Sequence, residues 1–339
     1  MIHPWLQTDW QALLALGERV PHALLLTGQA GLGKRALAEA FAARLLCASP
    51  RADGMACEAC APCRLRLAGT HPDLLHLVPG GLAQVGAGED GDSELGPGSG
   101  GSAFILIEQM RDLLARLEMT AHQGARRVVI VDPAEAMQAV AANALLKVLE
   151  EPSPGVVFLL VASSPRQVLP TIRSRCRLWP VSRPASDDTA TGEAAALLAL
   201  CGGAPLAARR LAEQGGDALL ARFVKDVNSL GTLDPLVLAE QWGAWLKSRE
   251  ALAAGFALPQ LVDWLQRWLS DLVRVRLGGA PHFFPGCAAE MQRRVTACVP
   301  ARLADGYASL LEMRRAARHP LNAQSFLEDL LLRYARAVT

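Results

Sequence analysis

The sequence predicts an α/β fold: a parallel-sheet P-loop domain, then a small helical lid, then an all-α C-terminal domain. Three observations predict it. The loop Gly28-Gln29-Ala30-Gly31-Leu32-Gly33-Lys34-Arg35 lies between an apolar run and a helix-forming segment. The runs ending at Asp132 and Ala162 are continuously apolar, as strands covered on both faces must be. From about Ser182 onward apolar residues recur at helical spacing.

The first strand is expected at Ala23-Leu24-Leu25-Leu26 and the first long helix from Ala36 to Leu46. Between them the glycines let backbone N–H groups wrap phosphates, and Lys34 is placed to reach the β and γ oxygens. Gly28, Gly31, Gly33, Lys34 and Arg35 therefore mark a nucleotide site for ATP or ADP. The last position is defective. A Ser or Thr there holds Mg²⁺ through its hydroxyl, and Arg35 cannot ligate a cation.

With 339 residues and 51% apolar composition, the chain is long enough for two or three domains. A net charge of +1 speaks against a basic nucleic-acid surface spread over the molecule. The segment Met1-Ile2-His3-Pro4-Trp5 has no cationic leader pattern, and no apolar run approaches the length of a membrane span. A cytoplasmic location without membrane contact is expected.

Four of the eight cysteines cluster: Cys47, Cys57, Cys60 and Cys63. In a cytoplasmic chain this spacing suits four thiolates around one Zn²⁺, and a shell of four leaves no position for a reacting water. The site is expected to be structural. Cys176, Cys201, Cys287 and Cys298 stand singly and read as small buried residues. Residues 79–102 are rich in glycine with Glu89, Asp90, Asp92 and Glu94, which predicts a flexible acidic insertion.

A helix from about Glu108 to Met119 precedes the strand that ends in Asp132. A carboxylate at that end faces the crevice beside the P-loop, where it could hold magnesium through water or cap a helix. A glutamate that polarises the attacking water usually follows directly; here Pro133 takes that place and Glu135 comes later, so hydrolysis looks impaired. The helix Ala139–Glu150 stops at Pro152, and the strand Val156–Ala162 ends in Ser163-Ser164. Leu261, Trp264, Leu265, Trp268, Leu269, Leu272 and Val273 form one helical stripe. Phe326, Leu327, Leu330, Leu331 and Tyr334 form another after a capping Asn322.

Together these segments resemble the bacterial DNA polymerase III clamp-loader subunits, a AAA+ family. The matching residues are His22-Ala23-Leu24-Leu25, the four-cysteine insert, Thr70-His71-Pro72-Asp73 and Asn143-Ala144-Leu145-Leu146-Lys147 with Glu150-Glu151-Pro152. Ser174-Arg175-Cys176 and Leu321-Asn322-Ala323-Gln324 with Glu328-Asp329 complete the set. The resemblance implies a AAA+ domain over 1–181 with a zinc module at 47–63, a lid over 182–214, and a collar over 215–339 that joins subunits.

It implies the non-hydrolysing delta-prime type, with gamma/tau ATPase and delta subunits as partners and the sliding clamp and primed DNA reached through the complex. Arg175 is implied to act as an arginine finger in a neighbour's ATP site, with Arg173 the weaker candidate. Pro205 falls about where the motor subunits carry a sensor arginine. The competing readings are an autonomous P-loop ATPase of the gamma/tau kind and a zinc module that reads DNA. Arg35 and Pro133 argue against the first, and the few arginines around the cysteines, mixed with Asp53 and Glu58, against the second.

Overall fold

The computed structural model describes residues 2–83, 102–118, 126–184, 192–230, 233–296, 298–317 and 322–338. The chain divides into two compact units, Met1–Ala185 and Ser186–Thr339. Most of the expected acidic insertion, residues 84–101, lies outside the described residues.

The first unit runs α1 (Gln7–Leu14), β1 (Ala23–Thr27), α2 (Lys34–Leu46), α3 (Ala61–Leu67), β2 (Leu74–Val78), β3 (Gly81–Ala83), α4 (Ile107–Glu118), β4 (Arg127–Val131), α5 (Ala139–Glu150), β5 (Val156–Ala162), α6 (Pro170–Arg175) and β6 (Arg177–Pro180). Its strands lie in the order β3-β2-β4-β5-β1-β6. All neighbours are parallel except β3, which pairs antiparallel with β2 at the edge. The start of the expected loop at 79–102 is thus strand, because the turn at Gly80, φ +97°, reverses the chain onto the free edge of β2.

The continuously apolar strands have the explanation that parallel sheets require. Leu25, Val129, Val131, Phe158 and Leu160 face a cluster completed by Met110, Leu113, Leu145 and Leu149 of α4 and α5. Leu24, Leu26, Val128, Ile130, Leu159 and Val161 face the other side, where Trp10, Leu13, Leu37 and Phe41 of α1 and α2 cover them. The two-residue alternation of side chains splits one apolar run between two cores.

The second unit is helical: α7 (Glu193–Leu200), α8 (Pro205–Glu213), α9 (Gly216–Ser229), α10 (Pro235–Leu246), α11 (Arg249–Ala253), α12 (Leu258–Arg276), α13 (Ala288–Val295), α14 (Pro300–Ala316) and α15 (Ala323–Val338). One buried cluster joins Leu197, Leu200 and Ala208 of α7 and α8 to Phe223, Trp242, Trp268, Leu310 and Leu331. Both long stripes are core: Leu261, Leu265, Trp268, Leu269, Leu272, Leu327, Leu330, Leu331 and Tyr334 are all buried to completion within this chain.

Two polar devices fix this core. Trp268 Nε1 donates to Tyr334 Oη at 3.0 Å, which gives each buried ring a polar partner. Asp271, fully buried, accepts from the backbone N–H groups of His282, Phe283 and Phe284 at 2.7–2.8 Å, so its charge is met by three donors of one turn. The expected cap also forms, with Asn322 Oδ1 accepting from Gln324 N at 3.0 Å at the start of α15.

Candidate functional site

β1, β5 and β4 are adjacent, so the P-loop, Ser163 and Asp132 come together at the C-terminal ends of three neighbouring parallel strands. That is the edge where doubly wound sheets bind ligands. The loop turns on Gly28, Gly31 and Gly33, whose φ angles are +155°, +81° and +85°. At Gly33 a Cβ would also lie 2.9 Å from a ring carbon of His3, so position 33 admits glycine on two grounds.

Lys34 opens α2 and is buried at 4% exposure. Its Nζ donates to Gln29 O at 2.7 Å and to Ser163 Oγ at 3.1 Å. Oxygen acceptors therefore hold the ammonium at the mouth of the loop, where phosphate oxygens are the natural alternative partners. Ser163 is one of the polar residues that the sequence placed at the end of β5.

Arg35 is turned inward, with its side chain 11% exposed. Its Nε lies 2.8 Å from Glu39 Oε1, one helical turn on, and 3.8 Å from Asp132 Oδ2. The guanidinium thus lies against the carboxylate that would hold a metal. Glu135 is engaged elsewhere: its Oε1 accepts the N–H groups of both Ser163 and Ser164, at 2.9 and 3.0 Å. Its other oxygen is buried with no hydrogen-bond partner among the described residues. The carboxylate therefore braces the end of β5.

Three features of the first unit have roles that no motif in the sequence assigns, the last of them at the opposite, N-terminal edge of the sheet. Trp5 Nε1 donates to Leu32 O at 3.0 Å, and the His3 ring stacks on Trp5 with centroids 4.6 Å apart, so the N-terminal segment lies on the loop. His76 of β2 is 5% exposed on the α2 side of the sheet. Burial, then the charge of Arg35, push its imidazole down to about 4. Arg127 and Asp73 form a buried ion pair at 3.2 Å, with side chains 5% and 0% exposed. Arg127 Nη1 also donates to Arg116 O at 2.7 Å. The Thr70–Asp73 segment thereby ties the start of β2 to that of β4, which no spacing rule would reveal.

The four clustered cysteines converge. Their sulfurs all lie within 4.8 Å of one another, with Cys47–Cys60 at 3.9 Å and Cys57–Cys63 at 4.0 Å. Four sulfurs at tetrahedral corners about 2.3 Å from a zinc ion would be roughly 3.8 Å apart, so the set fits that group. Cys47 ends α2 and Cys60 caps α3, so two helix termini position the cluster. Burial pushes the Cys63 thiol up to about 12. Cys60 is drawn down to about 6 against its own burial, chiefly by the backbone N–H of Cys63. Of the single cysteines, Cys176, Cys201 and Cys298 are buried as expected, whereas Cys287 is only half-buried.

Arg175 ends α6. Its Nη2 and Nε lie 2.5 and 2.7 Å from Glu150 Oε1, and Nη1 donates to Thr171 O at 3.0 Å. The pair is open to solvent, with side chains 35% and 49% exposed. Arg173 is turned back on its own unit and donates to Pro165 O at 3.3 Å. Pro205 is the first residue of α8. Among the described residues no helix is long and apolar enough to cross a membrane.

Residues 6–184 match the family model described as DNA polymerase III, delta subunit. The chain is 39% identical over 290 residues to the DNA polymerase III subunit delta' of Pseudomonas aeruginosa, covering 81% of this chain and 78% of that protein. It is 32% identical to the subunit delta' of Escherichia coli K12, over 98% of this chain and 94% of that protein. It is also similar to a DNA polymerase III subunit gamma/tau of Mycobacterium bovis, 34% identical over 163 residues, which is 48% of this chain and 24% of that one. With its nucleotide-type loop, cysteine cluster and doubly wound sheet, the chain belongs to this family of DNA polymerase III subunits, among the members named delta'.

Proposed function

We propose that the chain is the delta-prime subunit of the DNA polymerase III clamp loader, a non-hydrolysing AAA+ scaffold that acts in the cytoplasm. It would stand beside the gamma/tau ATPase and delta subunits and supply Arg175 to the neighbour's ATP site during loading of the sliding clamp onto primed DNA. The observation that carries this reading is Arg35 lying at 3.8 Å from Asp132, so that a side-chain cation stands beside the carboxylate that would otherwise hold a catalytic metal. Glu135, tied to two backbone N–H groups, supports it, since a carboxylate so engaged is not positioned to activate water.

Arg175 suits the in-trans role because it is exposed and permanently charged, and its fork fits phosphate oxygens. Its pair with Glu150 is solvent-screened, worth about 1 kcal/mol or less, so a phosphate can take the guanidinium over. Cys47, Cys57, Cys60 and Cys63 would hold Zn²⁺ as a structural clamp at the end of α2. Residues 182–214 would serve as lid and 215–339 as collar, the lid beginning at the end of the first unit and continuing into the helical one.

The similarity to a gamma/tau subunit favours, as second reading, an autonomous ATPase motor of that kind. The test is Arg175→Ala in the assembled complex. Assembly measured by size-exclusion chromatography should be unchanged, while hydrolysis at the neighbouring site falls by about a thousandfold. Wild-type hydrolysis with Arg175→Ala in the complex would refute the finger assignment.

A further inference from the structure

P-loop sites of this fold use Mg²⁺, held by the hydroxyl that follows the loop lysine and by a carboxylate at a strand end. The residues of this chain do not fit that ion. Position 35 offers a guanidinium instead of a hydroxyl, and its Nε sits 2.8 Å from Glu39 and 3.8 Å from Asp132. A divalent ion entering there would meet a fixed positive charge at short range and would have to separate Arg35 from Asp132. The depressed imidazole of His76, which senses Arg35, is consistent with that charge being lodged in the crevice.

The phosphate-binding half of the site is intact. Gly28, Gly31 and Gly33 hold the loop in its positive-φ turns, and Lys34 is buried at its mouth. We propose that Arg35 takes the place of Mg²⁺ in this loop, so that the site binds a nucleoside diphosphate in its metal-free form. Lys34 and Arg35 supply two positive charges from adjacent positions at the start of α2. A guanidinium carries five N–H donors in a rigid fork and matches paired phosphate oxygens. On binding, the phosphates would share Arg35 with Asp132 and Glu39. With no metal to polarise the terminal phosphate, occupancy would be a structural state with no turnover.

This inference rests on the loop being a nucleotide site and not on the chain's place in an assembly. Isothermal titration calorimetry of the full chain with ADP, once in excess Mg²⁺ and once in EDTA, tests it. The expected result is that the two Kd values agree within about threefold, and that Lys34→Ala abolishes binding in both buffers. Arg35→Thr, which restores the hydroxyl, should then bind ADP about tenfold more weakly in EDTA than in Mg²⁺. A wild-type Kd that weakens by more than about threefold in EDTA, or no ADP binding in either buffer, overturns the proposal. The wild-type pair decides the matter whether or not the variants fold. Absence of ADP binding would leave the Arg175 experiment untouched, so the two readings fail separately.

Discussion

His76 shows how one residue can carry both packing and electrostatics. Burial disfavours its protonated form, so its folded value of about 4 lies below the ordinary 6.5. Above pH 6.5 both folded and unfolded imidazoles are neutral and nothing is lost. As pH falls from 6.5 to 4 the unfolded chain takes up a proton that the fold resists, and stability declines by about 3 kcal/mol. His76→Gln should flatten that decline, which urea midpoints at pH 7 and pH 4.5 would show; an unchanged difference between the two pH values would contradict it. Asp73 is a second case. Asp73→Ala leaves Arg127 buried without its carboxylate and should cost about 3–5 kcal/mol in urea unfolding at pH 7, whereas a cost below about 1 kcal/mol would mean that water or another group replaces it. Neither role was legible in the sequence. A histidine inside an apolar strand and an arginine at a strand's first position carry no spacing signal, and their partners lie on other elements. Lys34, Arg35 and Asp132 could be placed at one edge of the sheet from the sequence, because the glycine loop opens a helix and the carboxylate ends an apolar strand, but the direct approach of Arg35 to Asp132 needed the folded chain.

At the scale of elements, the strands β1, β4 and β5 and the helix α5 could be read almost to the residue, and the stripe of α12 without its ends, because burial on two faces or on one stripe imposes a period. β3 could not, since an edge strand of three residues entered from a glycine turn has no apolar run to reveal it. The cysteine module was readable from spacing, and the converging sulfurs agree with it. What spacing could not show is its anchorage: Trp10 Nε1 of α1 donates to Asp53 O at 3.3 Å, and a Cβ at Gly54 would sit 2.3 Å from Leu14 Cδ1. The module is therefore packed on α1 as well as on the end of α2, and losing the metal should loosen both. Purified chain should carry one zinc per molecule by mass spectrometry. Cys60→Ser should lose it and lower Tm by about 4 °C or more, the effect of about 1–2 kcal/mol in a unit of this size. Full zinc content in Cys60→Ser would remove that cysteine from the ligand set.

At the scale of the whole molecule, the chain keeps a glycine loop on a doubly wound parallel sheet, and on the proposed reading its own site does not support turnover. The phosphate loop, the sheet and the strand-end carboxylate are present, yet a guanidinium lies against Asp132, and Glu135 is spent on the backbone of β5. The cation of the Ser174-Arg175-Cys176 signature is partly open to solvent, held by a screened pair with Glu150 that a phosphate can displace. Family membership fits a subunit whose contribution appears only beside its neighbours. The most direct test is steady-state ATPase of the chain by itself, then together with gamma/tau and delta subunits, sliding clamp and primed DNA. The account predicts no turnover by the isolated chain, and turnover in the assembly that collapses with Arg175→Ala. Turnover by the isolated chain that Lys34→Ala abolishes would contradict it and make this protein a motor in its own right.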